Sequence, residues 1–172
     1  IPNLKQNMRV VGIDLAGLET NETGFCLLDS EDRDKIMTKR LLYDREILDE
    51  IEKFNEEKDI DIIAIDAPFN WPEKGNYRKG EILLKERGYN PPSTLFPGMK
   101  KLTKRGKMLS RILKKRGFKV IEVFSKASER ALGLDKKRAA NKDEYDALVC
   151  ALTGKAYLAG KYDDFEGIVV PK

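Results

Sequence analysis

Short apolar runs and polar breaks alternate along this chain and outline its elements. From Arg9 the run Val-Val-Gly-Ile closes on Asp14, and a loop beginning at Gly17 leads through Asn21-Glu-Thr23 into Gly24-Phe-Cys-Leu-Leu-Asp29, which predicts two strands joined by a turn. After the polar break from Ser30 to Asp34, residues Lys35 to Leu41 alternate loosely and predict a third, less buried antiparallel strand. Ile47, Leu48, Ile51 and Phe54 fall at helical spacing behind Asp44, an N-cap residue type, so a helix to about Glu57 is expected. Ile60 to Ile65 is an unbroken apolar run, as in a strand covered on both faces.

Beyond Asp66 the chain is punctuated by prolines and glycines as far as Gly98, with one short helical piece around Glu81 to Arg87. This reads as an insertion that overhangs Asp66. Leu102, Leu109, Ile112 and Leu113 share one face of a helix over Lys101 to Arg116, with Gly117 as its C-terminal cap. Lys119 to Phe124 is a strand. A lysine-rich polar stretch then leads to Asn141, and Ala147, Leu148, Ala151 and Leu152 stripe a helix running to about Ala159. The tail from Gly167 to Pro171 is expected to add an edge strand. The order β-β-β-α-β-insertion-α-β-α predicts a mixed α/β sheet with helices on both faces, formed by one domain over residues 8–172 with the insertion at about 67–100. Ile1 to Asn7 lacks periodicity and is expected to be a leader outside the fold.

Composition narrows the chemistry. The 172 residues include no histidine, which excludes a Ser/His/Asp triad, a histidine zinc site and any imidazole base. Carboxylates, lysines or a metal must do the work. Cys26 and Cys150 both lie in apolar stretches and are expected to be buried, reduced thiols. No run approaches the roughly 18 apolar residues of a membrane span, and no signal-peptide pattern is present, so a cytoplasmic protein is expected. Gln6 is the only glutamine while Lys, Arg and Glu abound, a bias resembling hyperthermophile proteins.

Four acids stand out against this background. Asp14 and Asp66 each terminate an apolar run, and ligands gather at the carboxyl ends of parallel strands in such sheets. If the two strands are neighbours, the carboxylates lie side by side and need a shared proton or a cation. Mg²⁺ or Mn²⁺ suits an all-oxygen donor set. Each acid also has a plainer reading. Asp14 is a candidate turn-starting side chain, and Asp66 is a weaker one because Pro68 removes a nearby amide. Asp143 follows the N-cap candidate Asn141, with Glu144 completing a capping box. Asp146 lies past the first turn, three residues from Asp143 and on the same side of the helix.

At these residues the chain resembles the ribonuclease H-like superfamily, and more specifically a family of uncharacterised prokaryotic proteins described as predicted nucleases of that fold. The matching stretches are Val11-Gly-Ile-Asp-Leu-Ala-Gly17, Ile65-Asp-Ala-Pro68, Arg105-Gly-Lys-Met-Leu109, Val120-Ile-Glu-Val-Phe124, Asp143-Glu-Tyr-Asp-Ala-Leu-Val-Cys-Ala151 and Ile168-Val-Val-Pro171. Ser125 departs from the pattern, standing where the resemblance leads one to expect proline. The resemblance implies a five-stranded sheet of order 3-2-1-4-5. It further implies two divalent metals, with Asp14 bridging them, Asp66 binding one, and Asp146 with Asp143 holding the other. Glu122 would be an accessory ligand or substrate contact, the alternative being a solvated strand residue. Arg78 resembles a family arginine that would touch phosphate.

A basic stripe completes the picture. From Lys100 to Lys119 there are many cations and no acid, and Lys104, Lys107, Arg111 and Lys114 fall at spacings of three and four away from the apolar face. That row suits phosphates, although a solvated helix exterior has the same composition. Trp71, Tyr77 and Tyr89 in the insertion offer a platform for bases. The leading expectation is a metal-dependent nuclease acting on RNA, DNA or a hybrid. The alternatives are a nucleotide-binding phosphotransferase of the actin-kinase type, suggested by Gly12-Ile-Asp14, and a non-catalytic nucleic-acid-binding protein using the basic stripe alone.

Overall fold

The computed structural model describes residues 7–30 and 35–172, the side chain of Arg138 excepted. Residues 1–6 of the expected leader and most of the polar break after Ser30 lie outside the described residues. Strand β1 (Arg9–Asp14) pairs antiparallel with β2 (Thr23–Asp29), which pairs antiparallel with β3 (Lys35–Leu41). Helix α1 (Asp44–Glu57) crosses to β4 (Ile62–Asp66), which lies parallel to β1. The insertion carries α2 (Lys79–Glu86) and runs into α3 (Pro97–Lys115), followed by β5 (Val120–Val123), parallel to β4. Helices α4 (Ser125–Leu132) and α5 (Lys142–Leu158) follow, separated by a 3-10 turn at Lys136–Arg138. The chain closes with β6 (Tyr162–Phe165) and β7 (Ile168–Pro171).

Among the described residues the sheet has seven strands in the order β3-β2-β1-β4-β5-β7-β6, where the sequence leads one to expect five and an edge strand from the tail. The expected 3-2-1-4-5 order forms most of it. The apolar tail is no edge strand, because β7 lies between parallel β5 and antiparallel β6. β6 escapes prediction because Tyr-Asp-Asp-Phe is polar, as a strand paired on one side only can be. Helix α4 escapes for a different reason: its buried positions are the small Ser125, Ala127 and Ser128, which leave no large apolar stripe. The first helix is capped by Tyr43 rather than Asp44, and the carboxylate of Asp44 instead receives Arg105 Nε at 2.7 Å.

Period-two alternation in β1 builds the two faces of the core. Val11 and Ile13 join Phe25, Ile47, Ile51, Ile65, Leu109 and Leu113 beneath α1 and α3, while Val10 joins Cys26, Leu28, Ala64, Ala147 and Cys150 beneath α5. Both cysteines are buried free thiols. Helix α5 lies very close to the sheet. A Cβ on Gly12 would stand 2.1 Å from the Ala147 carbonyl oxygen, and one on Gly24 would stand 1.9 Å from that of Asp143. The glycines let α5 settle onto β1 and β2, which carries its first turns to the carboxyl end of β1. No described helix is long and apolar enough to cross a membrane.

Candidate metal centre

Parallel pairing puts Asp14 opposite Asp66 in register, each at the last position of its strand. The backbone beyond Asp14 is held by other groups: Thr23 Oγ1 accepts from Ala16 N–H at 3.0 Å, and Arg105 Nη1 donates to the Ala16 carbonyl at 2.7 Å. Arg105 also donates to the Leu42 carbonyl at 2.9 Å, so this buried cation clamps the loops after β1 and β3. Its neighbours in the basic stripe gave no hint of that role.

Burial pushes the Asp14 carboxyl up to about 8. Asp66, Asp146 and Asp143 push in the same direction, with Lys136 opposing. Burial likewise raises Asp66 to about 6. Two hydrogen bonds from Ser125, one from its hydroxyl and one from its backbone N–H, oppose this rise, while Asp146 and Glu122 reinforce it. The four acids therefore share one electrostatic neighbourhood at the carboxyl edge of the sheet. Asn141 caps α5 by accepting from Glu144 N–H at 2.9 Å, so Asp143 also sits in the favourable first turn of a capped helix.

The cation present at these acids is a lysine that sequence reasoning missed. Lys136, in the 3-10 turn before α5, bonds its ammonium to Asp146 and also acts on Asp14. In a polar, lysine-rich stretch nothing distinguishes it from its neighbours. Among the described residues, no group of three or more His, Cys, Asp or Glu side chains is gathered closely enough to hold a metal. The donor set is still chemically suited to one. It consists wholly of carboxylate oxygens, and an ammonium already stands in for the positive charge that their burial calls for.

Ser125 explains the departure noted in the sequence. It opens α4, and both of its hydrogen bonds fix the Asp66 carboxylate at that helix start. Proline there would supply neither donor. Ser125→Ala should keep the backbone bond and cost about 1 kcal/mol of stability, whereas Ser125→Pro should cost more and raise the Asp66 pKa further. Titration of the Asp66 carboxyl by NMR checks this, and an Asp66 pKa equal in all three proteins would refute it.

Glu122 and Arg78 are turned toward each other. Arg78 donates to both Glu122 oxygens, at 3.0 and 2.6 Å, and its Nε donates to Glu81 at 3.2 Å. Phe69 N–H adds a bond to Glu122 at 3.1 Å. Glu122 is therefore a buried partner and not a solvated strand residue, and the Arg78 guanidinium is engaged by two carboxylates rather than open to a phosphate. In the insertion, Lys85 covers the ring of Tyr77 at 3.1 Å and Arg130 that of Tyr89 at 5.1 Å, which takes one face of two of the three expected base platforms.

The basic stripe lies along α3. Lys104, Arg111 and Lys114 are exposed and Lys107 is half-buried, and Lys104, Lys107, Arg111 and Lys115 line an open groove of about 410 Å³. Lys114 leans over the Phe69 ring at 5.5 Å. The helix crosses directly over the turn after Asp66: a Cβ on Gly106 would lie 2.7 Å from the Pro68 carbonyl oxygen.

The fold and site thus define a mixed α/β domain with helices on both faces and four carboxylates at the carboxyl edge of its parallel strands. The chain is similar to a Thermus thermophilus RuvC structure at 12% identity and a TM-score of 0.49, over 96% of this chain and 100% of that one. No protein-family model matches, and no curated protein matches.

Proposed function

We propose that this protein is a metal-dependent nuclease that hydrolyses phosphodiester bonds of nucleic acid using two Mg²⁺ or Mn²⁺ ions. The observation that supports the reading is electrostatic: burial raises the Asp14 carboxyl to about 8, Asp66, Asp146 and Asp143 push it the same way, and the Lys136 ammonium opposes them. Asp14 would face both ions, Asp66 one of them, and Asp146 with Asp143 the other. When bound, such ions activate a water and neutralise charge on the transferring phosphorus centre. Ser125 orients Asp66, and the Gly12 and Gly24 contacts hold α5 where its acids face β1. Lys104, Lys107, Arg111 and Lys114 would bind the phosphate backbone, making affinity salt-dependent. No side-chain base is needed, in keeping with a chain that has no histidine.

Mn²⁺ titration followed by cleavage of labelled RNA, DNA and hybrid strands tests the proposal. Cleavage that depends on Mn²⁺ and disappears in Asp146→Asn supports it. Nucleic-acid binding without any metal effect would favour the non-catalytic reading, and stabilisation by ATP with Mg²⁺ the phosphotransferase one. Lys136 sharpens the test. Because its ammonium competes for the same acids, Lys136→Met should tighten Mn²⁺ binding roughly tenfold, about 1.4 kcal/mol, and lower the melting temperature of the metal-free protein. Calorimetry showing the same affinity in both proteins would remove Lys136 from the centre.

A further inference from the structure

A cavity of about 260 Å³ opens beside the acidic centre, reaching from Asp66 and Asp146 to the insertion. Most of its wall surface is apolar, with Leu84, Pro91, Pro92, Met99, Leu102 and Phe124 among the residues that line it. Arg78, Glu81 and Glu122 add the only buried ionic network among its lining residues, with Glu81 just 2% exposed. We propose that this cavity receives a single unstacked nucleobase of the substrate, adjacent to the bond that is cut. The inference rests on the nuclease reading and adds to it the form of the substrate.

Size and charge together select the occupant. The volume lies below the roughly 300–1,000 Å³ of sites that enclose drug-sized ligands, so it suits one ring system and not a strand. Two lining cations, Arg78 and Lys126, stand against four lining carboxylates, Asp66, Asp146, Glu81 and Glu122. Arg78 is further committed to Glu122 and Glu81. A phosphate would meet net negative charge here, whereas a neutral flat ring would meet apolar walls and carboxylate acceptors. A carboxylate has about four acceptor positions. Glu81 uses its oxygens on the Arg78 backbone N–H at 2.7 Å and on Arg78 Nε, which leaves capacity for the N–H edge of a base. The Met99 thioether adds a soft contact of the kind that favours aromatic rings.

A base can reach such a cavity only when it is out of the helical stack, which is least costly in single-stranded, mismatched or frayed nucleic acid. The preferred substrate is therefore unpaired at the nucleotide next to the cut, and intact duplex is disfavoured.

The test uses the full chain with Mn²⁺ and a series of single-stranded oligonucleotides in which one abasic position is moved stepwise along the strand. Cleavage by the wild-type protein should fall at least tenfold when the abasic position lies at one fixed offset from the cut bond. Met99→Trp, which fills the cavity, should cut the intact strand at least tenfold more slowly while matching the wild type on the strand that is abasic at that offset. A flat abasic scan overturns the proposal whether or not the variant folds, and so does a folded Met99→Trp that cuts the intact strand at the wild-type rate. Absence of Mn²⁺-dependent cleavage from every strand is a separate result, which removes the nuclease reading itself.

Discussion

Gly12→Ala should lower stability by about 4 kcal/mol or more, among the largest effects of any single methyl group. The added Cβ would lie 2.1 Å from the Ala147 carbonyl oxygen, 2.4 Å from the Ala151 nitrogen and 2.9 Å from the Ala151 Cβ. Two of these are backbone atoms of α5, so no side chain can rotate away, and relief requires lifting the helix from the sheet. Ala147, Cys150 and Ala151 would then lose contacts with Val10, Cys26 and Ala64. At roughly 2–4 °C per kcal/mol for a chain of this size, the melting temperature should fall by about 8–16 °C. Gly24→Ala should behave alike, since its Cβ would stand 1.9 Å from the Asp143 carbonyl oxygen. Gly98→Ala serves as the control, because nothing lies within 4 Å of its added Cβ and it sits at the start of α3. There a small gain of about 0.4–1 kcal/mol is expected. Thermal melts of the three variants check the account. A loss under 1 kcal/mol at Gly12 would mean that α5 does not rest on β1 as described. Because α5 carries Asp143 and Asp146, the packing of this helix and the geometry of the acids are one matter.

Asp14→Asn is the second large effect. It should reduce Mn²⁺-dependent cleavage on the order of 10²–10³-fold or more, the scale set by removing one preorganised electrostatic contact to a reacting group. In the metal-free protein the same change should stabilise the fold near and above neutral pH. The carboxyl of Asp14 ordinarily titrates at 3.8 but is raised to about 8 in the folded chain, and that of Asp66 is raised to about 6. For a carboxyl with a raised pKa, the folded state holds its proton over a range where the unfolded chain has released it. Stability from these two groups is therefore greatest below about pH 4. It declines as pH rises through about 6 for Asp66 and about 8 for Asp14, and it stays low above that. Melting temperatures between pH 5 and 9 should show this decline in the metal-free wild type, a shallower one in Asp14→Asn, and little of it from these groups once Mn²⁺ is added. Equal slopes in the wild type and Asp14→Asn would contradict the burial of charge at this edge.

The sequence was most informative where burial and periodicity coincide. Val10-Val-Gly-Ile and Ile62-Ile-Ala-Ile read as buried strands because both faces of the sheet are covered, and the acids that end them fall in register because parallel pairing aligns Gly12 with Ala64 and Asp14 with Asp66. The stripe of Ala147 and Ala151 revealed α5, although its close approach depends on glycines in other strands. What stayed hidden depends on contacts distant along the chain. Lys136 and Arg105 are two of many cations, and only the folded chain sets one on Asp146 and the other between Ala16, Leu42 and Asp44. Glu122 had no visible partner until Arg78, 44 positions earlier, folded back onto it. Ser125 looked like a missing proline and is instead a double donor to Asp66. Small buried residues in α4 and aspartates in β6 carry no apolar period, so composition alone conceals both elements.

The proposed function requires Asp14, Asp66, Asp143 and Asp146 together to bind divalent metal. Its most direct test is anomalous diffraction from a crystal of the protein soaked in Mn²⁺. Anomalous peaks are expected among these four carboxylates, with the Lys136 ammonium displaced from Asp146. Lys136 still bonded to Asp146, with no anomalous peak at the acids under saturating Mn²⁺, would contradict it.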